Sequence, residues 1–145
     1  MPPYNRRFIE GRASTIDRCA ERCRETVVRS EDEYPDRHDR ADVLLVNLIR
    51  LSEACIDIAK HLTKALNLGL VRDSRSAFRL VFEVLDMSLD DADELSKMVG
   101  FRNLAVHDYT KVERRVVEDI VARHLELPIR FASQARGFAE RNSAL

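Results

Sequence analysis

Glycine and proline are scarce in this chain, four of each in 145 residues, which argues against a fold of many short strands joined by tight turns. Ala, Leu, Arg and Glu are plentiful instead. That is the residue economy of helices, and the expected fold class is all-α. No apolar run approaches the ~20 residues needed to cross a bilayer. The opening MPPYNRRF also lacks a hydrophobic signal core, so the expected location is cytoplasmic, with no membrane association. Cysteine is limited to Cys19, Cys23 and Cys55, an odd number without the close spacings of a secreted disulfide framework. Cys19 and Cys23 share a helix face, but no companion Cys pair or His cluster has ligand spacing. The thiols therefore read as small core residues, and no metal or other cofactor is expected. Nor is there an excess of one charge. The net charge of -1 excludes a strongly basic protein that coats nucleic acid. The basic residues are overwhelmingly Arg, the better fork for phosphate oxygens, so a local anion site is compatible with this balance.

What is present is helical periodicity over a single domain, residues 1–145. Ile9, Ile16, Ala20, Cys23 and Val27 predict a first helix over about 4–29, with Glu21, Glu25 and Arg29 on a solvated stripe. The segment EDEYPDRHD, 31–39, contains Pro35 and loses the period, so it reads as a loop. Leu44, Leu48, Leu51, Cys55, Ile58 and Leu62 predict a second helix over about 41–67, ended by residues 67–69. A short third helix carries Phe78, Val81, Phe82 and Leu85 after a cap at Ser74. Ser88 and Asp91 have the spacing of a capping box and open a fourth helix through Leu95, Met98 and Val99. The acidic run 90–94 suits the positive end of that helix. Thr110 and Glu113 repeat the capping-box spacing, predicting a fifth helix directly after Tyr109, with Val112, Val116, Val117, Ile120 and Val121 on its face. Pro128 should break or kink it before a last stretch with Ile129, Ala132, Ala135 and Phe138. The sum is an antiparallel bundle of four to six helices.

Chemistry concentrates in RNLAVHDY, residues 102–109, at the junction of the fourth and fifth helices. Asn103 and His107 lie a turn apart on one face, so Asn103 is placed to orient the imidazole. Arg102 and His107 are ~140° apart on an unbroken helix. A break near Tyr109 relaxes that constraint, and convergence otherwise calls for a second subunit. Free N–H groups at the start of the next helix would add an anion cradle beside Tyr109. His moves protons near neutral pH and Arg stabilises oxyanions. RNA carries its own 2′-hydroxyl nucleophile, so a base and a cation suffice for cleavage without metal. On residues alone, the same cluster also reads as a capping and hydrogen-bonding group satisfied within the fold.

The string FRNLAVHDY, 101–109, resembles the R-x4-H-x-Y motif of HepT-like toxins in the HEPN superfamily of helical ribonucleases. EACIDIAKHL at 53–62, the later SAFRLVFEVL, and KMVG before Phe101 resemble the same family. The likeness spans about residues 41–125, with a compatible first helix. It implies an endoribonuclease toxin, metal-independent and active as a homodimer with a site built from both protomers. Arg102 and His107 are then the catalytic pair; Asn103 and Asp108, beside them in the string, are read from their side chains as supporting residues. Tyr109 becomes a regulatory tyrosine to which an MNT-type nucleotidyltransferase antitoxin transfers AMP. Pro128 departs from the expected continuous last helix but touches no motif position.

Arg72, Arg75 and Arg79 fall at 3 and 4 spacing, so if the third helix starts early they form one basic edge that would guide RNA phosphates or simply face solvent. Asp57 and His61 are an i, i+4 pair that would lean on the site or face solvent. His38 and His124 have no companions. The alternative to a nuclease is a non-catalytic module of the same fold, binding nucleotide or RNA or serving as a nucleotidyltransferase's regulatory subunit.

Overall fold

The computed structural model describes residues 3–33 and 37–142, and it is helical throughout: α1 (Arg6–Glu33), α2 (Arg37–Ala65), α3 (Ser74–Val81), α4 (Leu89–His107), α5 (Arg114–Arg123) and α6 (Glu126–Arg141). No strand occurs among the described residues. None of the described helices is long and apolar enough to cross a membrane.

The two long helices pack along each other and supply half the core. Ile9, Ile16, Ala20 and Cys23 of α1 and Leu44, Leu48, Leu51, Cys55, Ile58 and Leu62 of α2 are all buried, as their spacing predicts. α6 lies on α1, while α3 and α4 stack on α2 and on each other. Tyr4 fastens the first helix to the last. Its hydroxyl donates to the Ala139 carbonyl at 3.0 Å, one of the terminal carbonyls of α6 that have no partner within the helix. Phe78 of α3 meets Phe131 of α6 edge-on, with ring centroids 5.6 Å apart.

Helix ends account for most departures from the predicted boundaries. The loop expected over 31–39 is shorter. α1 continues to Glu33 and α2 begins at Arg37, because a run of Glu and Asp that loses the apolar period can still propagate a helix; residues 34–36 and the side chain of His38 lie outside the described residues. α2 stops at Ala65 in a Schellman turn. Asn67 takes a left-handed φ of 53°, and Asn67 and Leu68 donate to the carbonyls of Lys64 and Thr63. Gly69 follows at φ +148°, where any β-carbon would press on Leu80 at 3.0 Å.

The cap of α3 is Asp73, one residue before the Ser74 expected. The Asp73 carboxylate accepts from the Ser76 amide at 2.8 Å, while the Ser76 hydroxyl accepts from the Asp73 amide at 3.3 Å. Pro128 neither breaks nor kinks a helix. α5 has already ended at Arg123, and Pro128 is the third residue of α6, in the first turn, where a missing N–H has no intrahelical partner to lose.

Candidate active site

α4 carries the motif, and its start is firmly set. The Ser88 hydroxyl accepts from the Asp91 amide at 3.1 Å and the Asp91 carboxylate accepts from the Ser88 amide at 3.0 Å, the capping box that the sequence predicts. Arg130 of α6 adds a 2.6 Å bond to the same carboxylate. The Ser88 amide, with the Ser88 hydroxyl and Arg130 behind it, holds the Asp91 carboxyl below the usual range. Ala92, Leu95, Val99 and Ala105 bury one side of α4 in the core.

The helix runs without interruption through both Arg102 and His107. It closes where the Asp108 amide donates to the Leu104 carbonyl at 2.8 Å, and Asp108 itself leaves the helical region at φ −156°, ψ 82°. The break therefore falls after His107 and not between the two residues. It gives no relief from their ~140° angular separation about the helix axis.

The fifth helix does not begin directly after Tyr109. Tyr109–Lys111 form a single 3-10 turn, Glu113 caps α5 without a side-chain bond, and α5 starts at Arg114. The expected Thr110–Glu113 box fails because Thr110 lies inside the 3-10 turn, its hydroxyl donating back to the Asp108 carboxylate, and the cap position of α5 falls on Glu113 itself. The predicted cradle of helix-start N–H groups is thus displaced from Tyr109. Val116, read as a core residue, is instead 42% exposed.

The motif side chains have little to do within the fold. Arg102 is partly buried, and its Nε is fully buried without a hydrogen-bond partner. Asn103 is half-buried, His107 is exposed and Tyr109 is 65% exposed. No side-chain hydrogen bond or ion pair involves any of these four among the described residues. Asn103 thus shares a face with His107 without bonding to it. Asp108 is engaged locally, with Thr110 and with Lys111 Nζ at 3.8 Å. A cluster satisfied within the fold, the bland alternative, is not what the structure contains. Leu104 and Val106 between the polar residues, and Val116 on α5, leave apolar surface at the same end of the molecule. The sequence signal for this was available in Leu104 and Val106, which flank the buried Ala105.

The basic edge expected on α3 is divided: the helix starts at Ser74 with Asp73 as its cap, so Arg72 lies before it. Arg79 is committed to Asp93 of α4, with Nε at 3.0 Å and Nη2 at 2.8 Å from one carboxylate oxygen. Arg72 is exposed. Arg75 is exposed too, and its guanidinium lies across α4 over Gly100, two residues before Arg102. The Arg75 carbonyl accepts from the Ser96 hydroxyl at 3.2 Å, fixing α3 against α4 at this point.

Asp57 and His61 do not pair with each other. Each reaches α1 or the residues just before it: Asp57 accepts from Arg12 Nε at 3.0 Å, and His61 Nε2 accepts from the Asn5 amide at 2.8 Å. His124 Nε2 stands 3.6 Å from Asp119. The three thiols are buried, as expected for core residues. No group of three or more His, Cys, Asp or Glu is placed to hold a metal ion among the described residues.

An all-helical bundle that presents Arg, His and Tyr in this way has close relatives among known proteins. The family model for ribonuclease HepT-like proteins matches residues 16–135. The mRNA nuclease HepT of Shewanella oneidensis MR-1 is 36% identical over 119 residues, 82% of this chain and 89% of that protein. Two solved structures superimpose closely. One is a tri-AMPylated Shewanella oneidensis HEPN toxin in complex with an MNT antitoxin, with TM-score 0.79 and 33% identity over 90% of this chain and 97% of the other. The second is a toxin–antitoxin with AMP-PNP, with TM-score 0.77 and 33% identity over 88% and 97%. The chain belongs to the HepT-like ribonuclease family.

Proposed function

We propose that this chain is the toxin of a HepT/MNT-type pair: a metal-independent endoribonuclease, working in the cytoplasm as a homodimer and silenced when its nucleotidyltransferase antitoxin transfers AMP to Tyr109. The observation that carries the reading is the idleness of the motif. Among the described residues Arg102, Asn103, His107 and Tyr109 make no side-chain bond, and the Arg102 Nε is buried without an acceptor. A buried donor left unsatisfied costs stability, so no bond within the described residues holds the Arg102 side chain back from turning its guanidinium to an incoming phosphate.

In this reading His107 takes the proton from an RNA 2′-hydroxyl. The 2′-oxygen attacks the adjacent phosphorus, and Arg102 stabilises the charge that builds on the phosphorane oxygens. The bond to the 5′-oxygen breaks, that oxygen takes a proton from water, to which His107 returns the one it removed, and a 2′,3′-cyclic phosphate remains. Asn103 and Asp108 support the pair, and Arg72 and Arg75 contact flanking phosphates; Arg79 is already occupied by Asp93. Two features favour the dimer. Arg102 and His107 project ~140° apart from one unbroken helix, which suits a site completed by residues from a second copy. Leu104 and Val106, which lie between the two in the chain, are exposed apolar residues.

Tyr109 has the exposure that a modifying enzyme needs. Attack of its hydroxyl on the α-phosphorus of ATP would release pyrophosphate and leave a bulky, negatively charged phosphodiester near Arg102, where substrate phosphate should lie.

The test uses protein purified without its partner. It should cut RNA in EDTA and leave cyclic phosphate ends, and R102A or H107A should abolish cleavage. Persistence of cleavage in both variants would remove them from the site. After co-expression with the antitoxin, intact mass should show one or more AMP groups on wild type and none on Y109F.

A further inference from the structure

We propose that the groove between α1 and α2 is a second RNA-contacting surface, in which Arg18, Arg22 and Arg50 bind the phosphodiester backbone away from Arg102 and His107. This rests on the ribonuclease reading above for the identity of the polyanion. The groove is open and measures about 770 Å³. Arg18 and Arg22 stand one turn apart on α1, a rise of roughly 6 Å, and Arg50 faces them from α2. All three are exposed.

The surroundings of these three arginines distinguish them. Arg12, Arg24, Arg79, Arg123, Arg130 and Arg136 each hold a carboxylate. Arg18, Arg22 and Arg50 hold none among the described residues. Arg18 has only a 3.4 Å contact with the Thr15 hydroxyl. Arg18 and Arg50 both bear on the buried Cys19 thiol beneath them, each opposing the upward push of its burial, so the charges converge over one spot. Of the two groove carboxylates, Asp57 is neutralised by Arg12 at 3.0 Å, which leaves Glu53.

Folding gives no reason for this arrangement. A like-charge i, i+4 pair such as Arg18 and Arg22 mildly destabilises its helix, and a polyanion relieves the repulsion.

The lining also says what kind of contact is made. It contains no aromatic side chain, so there is no platform for base stacking. Guanidiniums suit phosphate oxygens, whatever the sequence; the Asn47 amide already donates to the Val43 carbonyl at 2.8 Å. Nor is the groove a part of the motif site. Leu48, Leu51 and Ser52 point to the side of α2 where Met98 and Phe101 of α4 lie, whereas Asn47, Arg50 and Ala54 line the groove on the other side. An RNA that touches both must wrap the molecule or bridge two copies.

The experiment measures binding of a labelled single-stranded RNA to the non-cleaving R102A/H107A protein across a salt series, with and without R18Q/R22Q/R50Q. The triple change should weaken binding about tenfold or more at low salt. It should also flatten the dependence of log K on log salt by about 2, near 0.7 for each single-strand phosphate that is no longer neutralised. R6Q/R24Q/R141Q, with the same reduction of charge elsewhere, should leave that slope nearly unchanged. Melting temperature and helical signal verify that both sets fold. An unchanged affinity and slope, an equal effect from the control set, or a loss of antitoxin binding with RNA binding intact would each overturn the proposal. Wild type that binds RNA through the groove but never cuts it would instead sink the ribonuclease reading and leave the groove standing.

Discussion

Nη2 of Arg75 lies 2.9 Å from the point where a β-carbon on Gly100 would stand. Glycine inside a helix costs roughly 0.5–1 kcal/mol relative to alanine, yet α4 carries one a half-turn before Arg102. The relationship gives that glycine a purpose: it lets an exposed guanidinium come close against the helix that bears the motif.

A substitution separates the two contributions. In G100A the flexible end of Arg75 must swing away, while the helix gains up to about 1 kcal/mol of propensity. Thermal stability should hold or rise, and RNA cleavage should show a KM increased roughly fivefold, about 1 kcal/mol for a displaced phosphate contact. R75A should have a similar effect, and combining it with G100A should add little. Additive losses in the double variant would show that Arg75 does not act through this position.

His61 predicts a pH dependence of stability. Its Nε2 accepts the Asn5 amide at 2.8 Å and its ring packs on Phe8 with centroids 4.8 Å apart, so the folded state needs the neutral imidazole with its proton on Nδ1. Burial lowers its pKa. The unfolded chain therefore binds the proton first as pH falls below about 6.5, and stability declines with falling pH until the folded-state pKa is passed. Urea unfolding at pH 7.5 and 5.5 should show this loss in wild type and a smaller one in H61Q, whose amide oxygen keeps an acceptor. Equal losses in the two proteins would rule out His61 as the source.

The thiols should be inert in the native state. Burial raises the pKa of all three, Cys23 to about 12, and thiolate is the reactive form. A thiol reagent at pH 8 should label none of them rapidly, then all three once the chain is unfolded. Fast labelling of one site in native protein would contradict the buried placement of Cys19, Cys23 and Cys55.

Regular features were legible in the sequence because one local rule determined each of them. The 4, 3, 4, 3 spacing from Leu44 to Leu62 gave the buried face of α2, and the Ser88–Asp91 box marked the start of α4. Misreadings arose where a side chain had two available partners. Thr110 has the spacing to cap toward Glu113 but bonds Asp108 instead. Asp57 has His61 a turn away but binds Arg12 across the helix interface. Arg79 sits on a basic edge yet is claimed by Asp93. The motif was visible from residue type and resemblance. The unsatisfied Arg102 Nε was not, because an absent partner belongs to the packed structure and has no trace in spacing. The groove arginines escaped for a related reason: Arg50 is 28 residues from Arg22, and only the packing of α1 on α2 brings them together.

Tyr109 stands on the short turn between α4 and α5, its backbone held by bonds from Lys111 to Asp108 and from Val112 to Tyr109, its ring outside the core. A group attached there unwinds no helix and displaces no buried side chain. Control of this chain by a covalent mark, as proposed above, would thereby be uncoupled from its folding equilibrium. A marked molecule would keep the melting behaviour of an unmarked one and be held ready in finished form, so that the speed of a response would be set by the chemistry of one oxygen–phosphorus bond and by no folding step.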